Sequence, residues 1–233
     1  MNEMKPNADK CHLIVCNQKE CSVILEENII EAEDSVELLG ITLDNDLKFS
    51  SHISKICKRA NQKLHALARI STLMSESKLK ILMKSFVISQ FKYCPLVWMF
   101  CNRTINNKIN RLHERALRLA YKDYVSTFEE LLIKDDAVTV HHQNLQKLAT
   151  EMFKIKNSLS PKPMENLFRK RVDNYDLRNK KVWESENIRT GIYGRETVSH
   201  MGPRIWNLVP NEMKDSTNVH EFKRKIKKWS KAK

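Results

Sequence analysis

From Phe49 onward the apolar residues return every three or four positions. Phe49, Ile53, Ile56, Ala60, Leu64 and Leu67 fall on one face of a helix. A period of 3.6 held for about five turns leaves no room for a strand, so it restricts the fold more than any other feature. The same spacing predicts a helix from about Asn106 to Tyr121, with Ile109, Leu112, Ala116 and Leu119 inward. It predicts another from about Val140 to Asn157, with Leu145, Leu148, Met152 and Ile155 inward. A last one begins near Asn218 and turns Val219, Phe222, Ile226 and Trp229 to one side. The segment from about Glu76 to Lys92 is apolar on most of its circumference, which predicts a helix buried among others. Gly is 4 in 233 residues, well below the usual ~7%. That argues against a Gly-rich nucleotide cradle, an all-β sandwich and a collagen-like repeat.

The N-terminal stretch reads differently. Cys11–Cys16 predicts a buried strand, and Ser22–Leu25 and Glu37–Leu43 predict two more, from their short length and β-branched content. Glu26-Glu27-Asn28 is a turn candidate. The expected fold is mostly α with a small N-terminal antiparallel β element, an α+β arrangement. Ser126-Thr127-Phe128-Glu129 reads as a capping box opening a short helix. Ser158–Pro163 punctuates the chain. Residues 172–212 hold three of the four Gly and are expected to be irregular, with one or two short strands. The expected organisation is therefore 1–46, 47–125, 126–160 and 161–233.

Charge divides at the same place as periodicity. Residues 1–46 carry three basic and eleven acidic groups, a net −8, within a chain of net +13. The remainder carries 38 basic and 17 acidic groups, a net +21. Such a body points to an anionic partner, nucleic acid first, against the plainer reading of solvated helix faces. Lys55, Lys58, Arg59 and Lys63 are expected opposite the apolar face of the first helix. Lys108, Arg111, Arg115, Arg118 and Lys122 form a stripe of their own, about 110° from the core stripe of their helix. Five cations beside one acid, Glu114, repel one another unless something anionic lies along them.

Other chemistry is weaker. Cys11, Cys16 and Cys21 with His12 invite a zinc reading. Five-residue steps put Cys11 and Cys16 on opposite faces of a strand, and no second ligand pair follows, so small buried hydrophobes are the better reading. Asp135-Asp136 is the only adjacent Asp pair. It sits at a helix end, where a capping or solvent role is expected rather than two-metal chemistry. His141 and His142 point about 100° apart on a helix. No nucleophile–base set and no phosphate loop stand out, which disfavours an independent metal hydrolase. The first residues lack the apolar run of a secretory signal, and the longest apolar stretch, Ile81–Phe100, is broken by Lys84, Lys92 and Pro95. The expectation is a nuclear or cytoplasmic chain, not secreted and not in a membrane, with its six Cys reduced.

Several segments resemble one family in order along the chain. Leu38-Leu39-Gly40-Ile41-Thr42-Leu43-Asp44 with Leu47, His52 and Ile53 resembles the segment just after the palm of jockey-like non-LTR retrotransposon reverse transcriptases. Met4–Cys11 is similar to that family's late palm motif. Phe91-Lys92-Tyr93-Cys94-Pro95-Leu96-Val97-Trp98 resembles its Leu-x-Tyr-Cys-x-x-Val-Trp signature, and Leu112–Arg118 its Leu-Gln-x-Arg-Ala-x-Arg helix. Tyr175–Arg178 and Gly202–Pro210, followed by Phe222-Lys223, agree as well.

The resemblance implies the C-terminal portion of an RNA-directed DNA polymerase. It would comprise a palm-edge β segment (1–46), a thumb-like helical bundle (47–125), a helical extension (126–160) and a C-terminal region ending in a basic helix (161–233). It places Lys10 at the late-palm lysine and Leu39 and Gly40 at the primer-gripping hairpin. The family's aromatic-Ala-Asp-Asp box, which holds a divalent metal such as magnesium in the intact enzyme, does not occur in this sequence. A zinc knuckle found in some relatives is also missing. The expectation is a truncated reverse transcriptase: no catalytic residue, metal site or cofactor of its own, non-specific binding to RNA–DNA or duplex backbones, and no activity alone. The missing polymerase part is a further expected partner. The alternative is a helical protein-interaction module, a domesticated remnant whose apolar Glu76–Phe100 segment binds a partner.

Overall fold

Two hairpins precede the helices in the computed structural model, which describes residues 7–16, 21–25, 27–170, 183, 184, 188, 194 and 197–231. β1 (Ser22–Leu25) pairs antiparallel with β2 (Asn28–Glu31), Leu25 opposite Asn28. β3 (Ser35–Leu38) pairs antiparallel with β4 (Ile41–Asp44), Leu38 opposite Ile41. The two sheets are separate. The strand expected over Glu37–Leu43 is thus two strands. It is cut at Leu39 and Gly40, whose φ values of 50° and 80° form a two-residue turn with the twist antiparallel strands favour. Cys11–Cys16 is not a strand either. It supplies one parallel bridge, Leu13 to Ala32, and a short apolar run does not by itself specify pairing.

The rest is helical. α1 (Ser50–Ile70) is followed by α2 (Glu76–Leu82), which runs on through a π turn (Met83–Val87) and a 3-10 turn (Ile88–Phe91). Cys94, at φ 39°, then redirects the chain into α3 (Pro95–Trp98), with Pro95 at its first position, where a missing N–H costs nothing. α4 (Arg103–Tyr121) is capped by Asn102, whose Oδ1 accepts from the Ile105 N–H at 3.0 Å. α5 (Phe128–Lys134) carries a reciprocal capping box one residue later than expected, between Thr127 and Glu130. α6 (Val140–Lys156) and the single turn α7 (Lys162–Glu165) follow. α8 (Val198–Leu208), the turn α9 (Asn211–Lys214) and α10 (Val219–Trp229) complete the described chain. α8 corrects the expectation of irregular structure up to residue 212; most of that stretch before it lies outside the described residues.

Two apolar clusters hold these elements. The first joins α1, α2, α4 and α5, with Ala60, Val87, Ala116, Leu117 and Leu131 fully enclosed. The second joins α6, α8 and α10, where Phe153 and Phe222 stack at 4.6 Å and Trp206 lies against Phe222. Gly202 lets α8 approach closely: a Cβ there would stand 2.7 Å from Met152 Sδ and 2.8 Å from Phe168 Cε1. The Glu76–Phe91 segment is buried on one side only. Ile81 is 64% and Phe86 47% exposed, because the bundle covers only the Leu79, Met83, Val87 side. No described helix is long and apolar enough to cross a membrane.

Candidate nucleic-acid interface

α1 and α4 pack side by side in the first cluster. Along their seam run two adjoining hollows of about 490 and 380 Å³ that share Ser54, Lys108 and Arg111. Lys58, Asn61 and Arg115 line the second, with Cys57 and Leu112 at its floor. Together they form one trough with an apolar floor and a cationic rim. Lys108 is near enough to Cys57 to oppose the upward shift that burial gives its thiol.

Arg115 Nη1 donates to Asn61 Oδ1 at 3.0 Å, which holds the guanidinium across the seam. Asn61 is neutral, so the charge of Arg115 is not cancelled. Among the described residues, no carboxylate forms an ion pair with Lys58, Lys108, Arg111 or Arg115. Four positive groups therefore border one concavity without counter-charge among the described residues, and such a concavity carries a positive field.

The other expected cations go elsewhere. Arg118 bonds Glu114 through Nε at 3.2 Å and Nη2 at 2.8 Å, which spends its charge within α4. Lys122 occupies the left-handed C-cap of α4 and its Nζ lies 3.4 Å from the Met74 carbonyl. Lys55 donates to Thr42 Oγ1 at 3.0 Å and faces Glu37 at 3.9 Å, on the β3–β4 hairpin. Arg59 stands close enough to His52 to depress its pKa. At 100° per residue, Lys55, Arg59 and Lys63 follow one flank of α1, whereas Lys58 lies about 100° from Arg59 on the flank facing α4. The first helix thus bears two cationic flanks, not one.

Further contacts tie the hairpin to this bundle. His52 is buried at the start of α1, and its Nδ1 accepts from the Thr42 N–H at 3.3 Å. Burial, then the charges of Arg59 and Lys55, hold that imidazole below its ordinary pKa, which keeps it an acceptor. At the tip, Leu39 is 83% exposed and Gly40 lies against the Tyr93 ring. Lys10 ends an exposed 3-10 turn, Ala8–Lys10.

Asp135 and Asp136 do not converge. Asp135 is turned inward, its carboxylate 2.9 Å from Lys84 Nζ and 3.0 Å from the Tyr121 hydroxyl. Asp136, at φ 49°, pairs outward with Lys231. The pair therefore does not fit a shared divalent ion. The Cys residues correct a smaller expectation: Cys57 is buried, but Cys16, Cys21 and Cys94 are exposed. Their short segments lie on sheet and bend surfaces rather than under a helix. Asn61, Ser54 and Thr104, which complete the trough, carry no signal in the sequence; small polar residues on a helix read as solvated positions.

Compared with protein-family models, curated proteins and solved structures, the chain matches none.

Proposed function

We propose that the α1–α4 trough binds the sugar-phosphate backbone of nucleic acid, RNA–DNA or duplex, without reading sequence. In this reading the chain is the template–primer-holding portion of a non-LTR retrotransposon reverse transcriptase and incorporates no nucleotide alone. The observation that carries the proposal is the rim of Lys58, Lys108, Arg111 and Arg115, unpaired with any carboxylate among the described residues. Phosphate contacts position a protein on a backbone and need no base-reading group. The sequence motifs quoted above favour a polymerase thumb as the source of such a surface. Asp135 and Asp136 pair with different lysines and point apart, so no catalytic step is assigned to them.

The test is titration of a fluorescent RNA–DNA duplex at several salt concentrations. Four phosphate contacts give a log–log slope of about −3.6. Affinity indifferent to salt refutes the backbone reading, and nucleotide incorporation in a primer-extension assay refutes the inactivity. A second reading, a protein-interaction module, is favoured by the exposure of Ile81 and Phe86. A partner retained on the chain after nuclease digestion, and lost on Ile81→Ser, supports that reading instead.

A further inference from the structure

A second and larger cleft, of about 990 Å³, lies on the other side of α4. His113, which borders it, stands about 140° around the helix from Lys108. α6 and α10 form one wall; the Lys92–Val97 bend and the Asp135–Val138 loop form the other. Seven lysines and three carboxylates line it. Each carboxylate is already taken: Asp135 by Lys84, Glu151 by Lys154, Asp136 by Lys231. Lys92, Lys147, Lys223 and Lys227 remain, and none of them has an ion-pair partner among the described residues.

Two further observations set this cleft apart from an ordinary solvated surface. Lys147 is half-buried and its Nζ donates to the Lys92 carbonyl at 3.2 Å. Burial, then the charge of Lys92, holds its amine below the usual range. His113 is 2% exposed and its Nδ1 has no hydrogen-bond partner. Four ammonium groups crowded without ion-pair partners among the described residues raise the free energy of the empty cleft, and an anion lowers it. Ammonium groups bind phosphate oxygens as compact point charges, each with three donors. The volume falls within the roughly 300–1,000 Å³ of small-ligand sites.

We propose that this cleft binds a compact oligophosphate, two or three linked phosphoryl groups, held by Lys92, Lys147, Lys223 and Lys227 at a site separate from the α1–α4 trough. A free oligophosphate and the phosphate tail of a nucleotide offer the same chemistry.

The test uses the full chain and inorganic tripolyphosphate, followed by calorimetry at fixed ionic strength. Lys227→Gln, an exposed substitution on α10, weakens binding about tenfold, in line with the loss of one charge-assisted contact. Lys147→Gln does the same. The pair Lys58→Gln/Arg111→Gln, in the trough, leaves it unchanged. Mass-spectrometric amine acylation gives an independent readout: tripolyphosphate protects Lys147 and Lys92 but not Lys58. Metal-free ATP separates the two sources, binding equally if the phosphates alone are held and more tightly if the nucleoside is held as well. The proposal fails if the trough pair weakens tripolyphosphate binding as much as Lys227→Gln does, or if acylation of Lys147 is indifferent to the anion.

Discussion

The Tyr93 hydroxyl donates to the Leu39 carbonyl at 2.6 Å, joining residues 54 positions apart. The bond ties the left-handed tip of the β3–β4 hairpin to the bend that leads into α3. A lone two-stranded hairpin is marginal in water, so its position depends on such ties. Tyr93 is half exposed, and one neutral hydrogen bond there contributes about 1 kcal/mol at most. Tyr93→Phe is therefore expected to raise amide exchange across residues 35–44 by up to about fivefold. Peptides from α1 serve as the unchanged reference. Equal exchange in both proteins would show that the α1 contacts of β4, from His52 and Lys55 to Thr42, hold the hairpin without this bond.

Lys108, Arg111 and Arg115 of α4 face the trough, whereas Arg118 pairs with Glu114. Lys108→Gln/Arg111→Gln is expected to reduce the salt slope of duplex binding by about 1.8, two contacts' worth. Arg118→Gln leaves that slope intact and lowers stability by about 0.5 kcal/mol, the size of an i,i+4 pair. Fluorescence anisotropy over a salt series and urea denaturation separate the two effects. A slope change of equal size for Arg118→Gln would mean that the Arg118–Glu114 pair opens to bind phosphate.

Gly202 is where α8 comes closest to α6 and Phe168. An added methyl would overlap Met152 Sδ and Phe168 Cε1, and Phe168 belongs to the buried second cluster. Met152 can yield, being flexible; the Phe168 ring must move as a whole. Gly202→Ala is expected to cost about 1–3 kcal/mol, as overpacking does. Its duplex affinity should stay unchanged, since the trough lies in the first cluster. Chemical denaturation and anisotropy on the same variant check both halves of this expectation.

Periodicity made α1, α4, α6 and α10 readable, because each buries one stripe: Ile53, Ile56, Ala60, Leu64 and Leu67 all ended inside. It failed at α8, where Gly202 and Pro203 look like helix breakers. Gly202 is there for close packing, and Pro203 sits in a helix held by Trp206 and Phe222. Nor did it find the turn at Leu39–Gly40, because Leu39 is not a residue that advertises a positive φ. Spacing located the cationic stripe of α4 but could not show that Arg118 would fold back on Glu114, or that Lys58 alone of its group would face α4. The lysine-lined cleft was invisible for a simpler reason. Lys92, Lys147, Lys223 and Lys227 are brought together by packing across more than half the chain.

His113 lies at 2% exposure on the inner side of α4, edge-on to Phe128 at 5.6 Å. Burial lowers its pKa to about 4, with Asp135 pulling up and Lys84 pulling down by smaller amounts. In the unfolded chain the same imidazole titrates near about 6.5. Below that pH the unfolded state binds the proton and the folded state does not, so stability falls as pH drops towards 4 and is constant above 7. Between pH 7 and pH 5 this one group is expected to remove about 2 kcal/mol. His52 and His141, whose pKa values burial also lowers, act in the same direction. His113→Leu should therefore flatten the pH dependence of urea denaturation without abolishing it. Curves that stay parallel to the parent between pH 7 and pH 5 would show that the buried imidazole gains a proton-accepting partner when the pH falls.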